Sequence, residues 1–346
     1  MIVGVPRETK EGERRIALRP EAVGEIVAAG HDVRIETRAG QGIGLADDVY
    51  RDAGADIVVA RDAWDADLVV KVKEVQEADL AVMPQGATLF GFQHLPGEPE
   101  RTRALAAKAA SAIAFEMVRD SRGEFPLLAP MSRIAGRMAI ERFPARRVLV
   151  LGAGHAGRAA AAAARKRGAE VVVLARSPRT LAPGLACEAA TAENVERHAL
   201  WADLVVGAVF VPGMPTPKLL PRALVRRMRP GSTIADISID AGGVAETSRP
   251  SSHAEPTYVE EGVVHYCVGN IPAADPPAAS AALSEAVLPY VLDMGAHESV
   301  ASALRRHREL REAVLLWEGR VNHAGIAGEA GLAYTALTDA MLAESE

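Results

Sequence analysis

Short apolar runs alternate with amphipathic stretches from the first residue onward. MIVGVP gives way to charges and then to PEAVGEIVAAG, whose apolar positions recur at helical spacing up to Gly30. HDVRIET reads as a strand, DDVYRDAGADIV as a helix and a strand, and DADLVVKVKEV, GATLFGFQHL and AIAFEMV as further β-rich runs. Strands that alternate with helices predict a mostly parallel sheet covered by helices, here over residues 1 to about 130. A second series opens at Arg147: RVLVLG as a strand, HAGRAAAAAARKRG as a helix, EVVVLA as a strand, then ADLVVGAV and TIADIS, ending near VHYCVGNI. Beyond Pro276-Pro277 the pattern turns helical, through AASAALSEAVLPYVLDMGAH and SALRRHRELREAVLLWEGRVN. The fold class expected is α/β, with two Rossmann-like domains whose sheets are mostly parallel and doubly wound.

Composition narrows the function. A chain of 346 residues holds about two domains. Its net charge of −6 and pI near 5.9 argue against a general nucleic-acid binder, whose footprint is basic. No apolar run reaches the roughly 18–20 residues of a membrane span. The opening MIVGVPRETKEGERR carries charges where a secretion signal needs an apolar core, so a cytoplasmic protein is expected. Cys187 and Cys267 lie far apart without metal-ligand spacing and are expected as two buried thiols, with no disulfide and no metal site.

Gly152-Ala153-Gly154-His155-Ala156-Gly157 matches the G-x-G-x-x-G pattern between an apolar strand and an Ala-rich helix. Gly152 permits the tight turn, Gly154 lets backbone approach a pyrophosphate, and Gly157 lets helix and strand pack closely. The helix start offers free N–H groups and positive dipole to the phosphates. About 20 residues on, where an acidic residue would bind both ribose hydroxyls and repel a 2′-phosphate, the chain reads Ala175-Arg176-Ser177. Arg176 and Ser177, with Arg179 nearby, suit a phosphate, which points to NADP(H) over NAD(H). The alternative is a solvated Arg176 and loose use of either nucleotide.

Charges cluster at the expected strand ends of the first series. Residues 7–15 read Arg-Glu-Thr-Lys-Glu-Gly-Glu-Arg-Arg, and Lys71 and Lys73 sit in an apolar β-rich run, alternating onto one face. A lysine there needs a carboxylate or an anionic ligand. His94 closes GATLFGFQHL, and Asp240 lies in DISIDAGG before a glycine pair.

These motifs carry a resemblance. GVPRETKEGERRIALRP, KVKEV at 71–75, FQHL at 92–95, PLLAPMSRIAGRMA at 126–139, GAGHAG, ADLVVGAVFVPGMPTPKL at 202–219, DISIDAGG at 236–243 and YCVGNIPA at 266–273 resemble, in order and over nearly the whole length, the alanine dehydrogenase/pyridine nucleotide transhydrogenase family. The resemblance implies that Arg15 and Lys73 bind a substrate carboxylate, that His94 is the general acid/base and that Asp240 is its acidic partner near the nicotinamide. It implies cofactor contacts at Met131, Ser132, Val209, Phe210 and Ile237 to Asp240, and an active-site role for Asn270. It implies a substrate domain from residues 1–130 plus 286–346, a dinucleotide domain from 131–285, and a cleft between them. The function it implies is an NADP(H)-dependent dehydrogenase interconverting a small 2-amino acid and its 2-oxo acid plus ammonia, as a cytoplasmic homo-oligomer, dimer or hexamer. An opine-type reductase, which joins an amino acid to a 2-oxo acid as a secondary amine, is the nearest alternative. A transhydrogenase-like component and a non-catalytic NADP(H) sensor stand further off.

Three features depart from the family pattern besides Ala175-Arg176-Ser177. About eleven residues separate Gly136 from Val148, where alanine dehydrogenases carry a longer segment. Ser284-Glu285 stands where they usually have Thr-Asn, and Phe92, Gln93 and Pro96 surround His94.

Overall fold

The computed structural model describes residues 1–177, 185–211 and 214–344; Arg179 lies outside them. The chain forms two compact units, Met1–Pro130 with the segment from Asp275 onward, and Met131–Ala274. The second crossing precedes the 285/286 division expected from sequence. Pro276 and Pro277 open one continuous helix, Pro276–Gly295, whose start is capped by the Asp275 carboxylate accepting from the Ala278 amide. A division at residue 285 would fall inside that hydrogen-bonded ladder.

In chain order the strands are β1 (Ile2–Val5), β2 (Asp32–Glu36), β3 (Asp56–Val58), β4 (Leu68–Val70), β5 (Thr88–Gly91), β6 (Ser111–Ala114), β7 (Arg147–Leu151), β8 (Glu170–Ala175), β9 (Ala186–Ala189), β10 (Leu204–Gly207), β11 (Thr233–Asp236), β12 (Thr257–Glu260), β13 (Val263–Tyr266), β14 (Val314–Trp317) and β15 (Arg320–Val321). The first unit's sheet runs β15-β14-β6-β5-β4-β1-β2-β3 and the second's β12-β13-β11-β10-β7-β8-β9. Pairing is parallel except at β14 with β6 and β15, and at β12 with β13. Counted from its own first strand, each parallel part has the order 3-2-1-4-5-6 of a doubly wound dinucleotide fold. Strand order therefore reverses between β1 and β4 in the first unit and between β7 and β10 in the second. Ligands of such sheets sit beyond the carboxyl ends of the strands at that reversal.

Strand β7 shows why the apolar runs became central strands. Val148 and Val150 join a cluster with Ala160, Ala161 and Ala164 of the helix His155–Lys166, while Leu149 and Leu151 join Val195, Ala199 and Leu224 on the other face. Both faces are covered, so the sequence carries no polar alternation. The first unit's core gathers Trp64, Leu89, Leu105 and Leu316.

Two segments differ from the sequence reading. The run AVLLWEGRV does not continue a helix. It forms the β14–β15 hairpin: Val314–Trp317 pairs with β6, and Glu318 and Gly319 both take positive φ, 49° and 78°, as a two-residue hairpin turn requires. Of the two cysteines, both free, Cys267 is buried but Cys187 is only half-buried, since it sits on the sheet-edge strand β9. Among the described residues, no helix is long and apolar enough to cross a membrane.

Candidate active site

The strands of the first sheet are shorter than its apolar runs, and that brings charge to their carboxyl ends. β4 stops at Val70, so Lys71 and Lys73 lie just past it. β5 stops at Gly91, leaving His94 in the following loop. The two lysines, both buried, do different things. Lys71 Nζ lies 3.4 Å from Glu8 Oε2 and 3.3 Å from Asp79 Oδ2. Burial works against its charge, but the two carboxylates raise its pKa. Glu8 also receives the amides of Val72 at 2.7 Å and Lys73 at 3.2 Å, fixing the loop after β4. Lys71 is thus a strut between carboxylates.

Lys73 turns to His94, with Nζ 3.1 Å from the imidazole Nε2. An ammonium can only donate, so Nε2 presents its lone pair to it. His94 keeps solvent access, yet the protein packed about it and the ammonium of Lys73 push its pKa down to about 3, against the opposing pull of Glu74. The imidazole is therefore neutral at neutral pH. Glu74 is itself buried and paired with Lys10. Burial would raise its pKa, but Lys73, His94 and Lys10 together hold it at about 2.

The loop that carries His94 is strained and clamped. His94 has φ 45°, a left-handed backbone uncommon outside glycine. The Glu116 carboxylate accepts the His94 amide at 2.8 Å and the Gln93 amide at 3.1 Å. The Phe92 ring stacks on the imidazole, centroids 5.7 Å apart and planes 6° from parallel. Backbone, carboxylate and ring together fix where Nε2 lies.

Arg15 is buried on the loop leaving β1. Its Nε donates to Glu13 Oε1 at 2.7 Å and a terminal nitrogen bonds Glu13 Oε2. The neighbouring amides of Ile16 and Arg19 donate to the hydroxyls of Ser280 and Ser284, at 3.0 and 2.9 Å. Ser284, one of the departures noted in sequence, is a buried anchor for this loop.

In the second unit the carboxyl ends are shaped by missing side chains. Gly152 follows β7 with φ 107°, and a Cβ there would stand 2.2 Å from the Ala208 carbonyl across the strand reversal. A Cβ on Gly157 would stand 1.9 Å from the Gly152 carbonyl. Above Gly154, by contrast, a Cβ would meet nothing within 4 Å. The helix His155–Lys166 starts at this open place without a side-chain cap, with the positive end of its dipole toward an incoming anion. Close packing on two sides and open space on the third fit a pyrophosphate laid against backbone. At the end of β8, Ala175 is half-buried, and Arg176 and Ser177 are exposed.

Two further loops complete this end. The Val209 amide donates to the Ser238 hydroxyl at 2.9 Å, tying the loop after β10 to the 3₁₀ turn Ile237–Ala241 after β11. Phe210 beside it is 54% exposed, unusual for a phenyl group and suited to contact with a bound ring. The fully buried Asp236 organises both loops, accepting from the amides of Ser238 and Val244 and from the Ser248 hydroxyl at 3.2, 2.7 and 2.6 Å. Burial raises its pKa. Asp240 is exposed, its carboxylate 3.4 Å from the amide of Asn270, which has φ 54°. Met131 is buried and Ser132 half-buried on the helix Ala129–Arg142.

The structure thus joins Lys73 to His94 and Asp240 to Asn270. Sequence reasoning missed the carboxylates that hold these groups: Glu8, Glu13, Glu74, Glu116 and Asp236. Glu8 and Glu13 lay inside the quoted charge run and Asp236 opened DISIDAGG, but nothing local marked their partners.

Comparison with known proteins identifies the family. The sequence pattern of the alanine dehydrogenase/PNT N-terminal domain matches residues 4–135, and that of the C-terminal domain matches residues 131–324. An alanine dehydrogenase of Halomonas elongata is 39% identical over 365 aligned positions, covering 96% of this chain and 98% of its own. One from Staphylococcus haemolyticus is 36% identical, covering 99% of each chain. A solved L-alanine dehydrogenase superimposes with a TM-score of 0.87 at 37% identity, over 95% of this chain and 99% of that one. A transhydrogenase from Sinorhizobium meliloti gives 0.81 at 26% identity, over 94% and 99%. The chain belongs to the alanine dehydrogenase/PNT family and is an oxidoreductase acting on CH–NH2 donors with a nicotinamide dinucleotide.

Proposed function

We propose that the protein is an NADP(H)-dependent dehydrogenase that interconverts a small, alanine-like 2-amino acid with its 2-oxo acid and ammonia. The observation that carries this reading is the contact of the Lys73 ammonium with the neutral His94 imidazole. In this reading Arg15 and Lys73 hold the substrate carboxylate, which fixes the α-carbon at one distance and orientation. Anion binding at Lys73 also offsets part of the charge that, after burial, lowers the pKa of His94. Nε2 of the imidazole takes a proton from the amine or from the attacking water and returns it. Asp240, exposed on the second unit with the Asn270 amide 3.4 Å from its carboxylate, is the acidic group of this reading.

The glycine loop and helix start hold the pyrophosphate, and Ser132, Val209, Phe210 and Ile237 border the nicotinamide. Bound nicotinamide supplies the hydride chemistry. The absence of an acidic side chain at Ala175, with Arg176 and Ser177 exposed beside it, supports a 2′-phosphate on the ribose.

Pyruvate is supplied with NADPH or NADH and either ammonia or a panel of amino acids, and loss of reduced-nucleotide absorbance is followed. Consumption of NADPH with ammonia is expected. Turnover only with an amino acid as the amine would replace the dehydrogenase by an opine-type reductase, and equal rates with NADH would remove the nucleotide preference.

A further inference from the structure

A second cluster of chemistry-bearing side chains lies in the first unit, apart from every residue given a catalytic role above. His297 follows the end of the helix Pro276–Gly295, on which Asp293 sits. His307 occupies the junction between the helices Val300–Arg306 and Arg308–Arg311. The two imidazoles meet with Nε2 to Nε2 at 3.2 Å, their rings inclined by 52°. The other ring nitrogen of His307, Nδ1, lies 3.1 Å from Asp293 Oδ2. One ligand atom from each of the three residues lies within 4.8 Å of the others, and all three residues are half-buried.

We propose that these residues form a binding site for a divalent transition-metal ion of the zinc class, with His297 and His307 as ligands through Nε2 and Asp293 orienting His307. An ionised carboxylate can only accept, so contact with Asp293 places the His307 proton on Nδ1 and leaves a lone pair on Nε2. The Nε2 of the second imidazole lies 3.2 Å from that nitrogen. Two zinc–nitrogen bonds of about 2.0–2.1 Å at a tetrahedral angle hold their nitrogens about 3.3–3.4 Å apart. The observed 3.2 Å needs only a small adjustment, with deprotonation of His297 Nε2, to admit the ion. Water fills the remaining positions, reached through the exposed side of the cluster. A site dominated by imidazole nitrogen selects zinc, cobalt, nickel or copper over magnesium or calcium, which need mostly oxygen ligands. Without metal, the same geometry is an Asp–His–His hydrogen-bonded chain, and the experiment separates the two.

The full-length protein is stripped with a chelator and titrated with Zn²⁺ alone by calorimetry and with Co²⁺ by visible absorption. One equivalent is expected to bind, with the intense ligand-field bands of tetrahedral Co²⁺ and a rise in melting temperature on adding Zn²⁺. His297→Gln and the double variant His297→Ala/His307→Ala should lose this equivalent while keeping dehydrogenase turnover. Asp293→Asn should retain it at an affinity about 10–100-fold weaker, as removing an orienting partner does. No binding to the wild-type protein, or binding unchanged in the histidine variants, would overturn the site. His297→Gln guards against misfolding, because it leaves the Asp293–His307 contact intact.

Discussion

The carboxyl ends of the two sheets share one topology and solve opposite problems. Both reverse strand order between their first and fourth parallel strands. In the first unit that place is crowded with charge: Glu8 with Lys71, Glu13 with Arg15, Glu74 with Lys10, and Lys73 against His94. In the second it is emptied of side chains, with Gly152 and Gly157 at distances no Cβ tolerates. Charge in the first is held by other charge, in ion pairs and hydrogen bonds between side chains. Ligand space over the glycine loop of the second is held by backbone contact, which no protonation alters. The first sheet is thus equipped for acid–base chemistry and the second for shape. The same strand order permits either, because the loops after the strands carry the difference.

The largest effect should come from the charged end. His94→Ala removes the proposed acid/base and should lower turnover by about 10²–10⁴-fold. Nucleotide affinity, measured by fluorescence titration, should stay unchanged. Equal loss of both would deny the division of labour. Next comes a pair of changes at the glycine end. Gly157→Val pushes methyl groups into the Gly152 carbonyl and should cost about 1–3 kcal/mol in chemical denaturation, along with nucleotide binding. Gly154→Val meets open space in the protein and should change stability within about 0.5 kcal/mol. It should nevertheless weaken nucleotide binding, because its side chain occupies the ligand's place. If both variants behave alike, the open cradle is not where the pyrophosphate lies. Smaller again is Ala175→Asp, which restores a carboxylate beside the ribose. It should shift the NADPH-to-NADH preference by about 10- to 100-fold, the scale of one charged hydrogen bond. An unchanged ratio of kcat/KM values would make Arg176 a bystander.

Legibility in sequence differed between the two ends for the same reason. GAGHAG was readable because its chemistry is local: strand, turn and helix start lie within one short segment. Lys73 and His94 were readable as residue types, because a lysine in an apolar run and a histidine near a strand end both need a partner. Their partners were not. Glu116 clamps an amide 22 positions away, and Glu8 holds an amide 64 positions away. Nothing in a one-dimensional pattern pairs such distant residues. The strand limits failed for a related reason. Alternation carried the reading of β4 through Lys73, while the regular strand ends at Val70 and its backbone bonds to the β5 segment stop at Val72, whose amide turns to Glu8. The β14–β15 hairpin was hidden because VLLW is equally apolar as helix or strand. Only its pairing with β6 decides between them.

The smallest effect is a slope with pH, and its sign differs from group to group. His94 titrates at about 3 in the folded protein against an ordinary 6.5, so between these values the unfolded chain binds the extra proton. Its contribution to stability is present above about pH 6.5 and is lost as the pH falls toward 3. Glu74, held at about 2 instead of 4.5, acts in the same direction below pH 4.5. Asp236 in the second unit is raised by burial, so the folded form binds the proton first and acidification there opposes unfolding. Glu8 and Glu116, also raised by burial, oppose His94 within its own unit, so the total slope does not isolate it. The difference between wild type and His94→Gln does. Melting temperatures taken from about pH 7 to about pH 4 should show the wild type losing ground to the variant as the pH drops. Because the imidazole keeps a face to solvent, the divergence should be shallow. Parallel curves would mean that His94 takes its proton as readily in the folded protein as in the unfolded chain, and that Lys73 does not govern it.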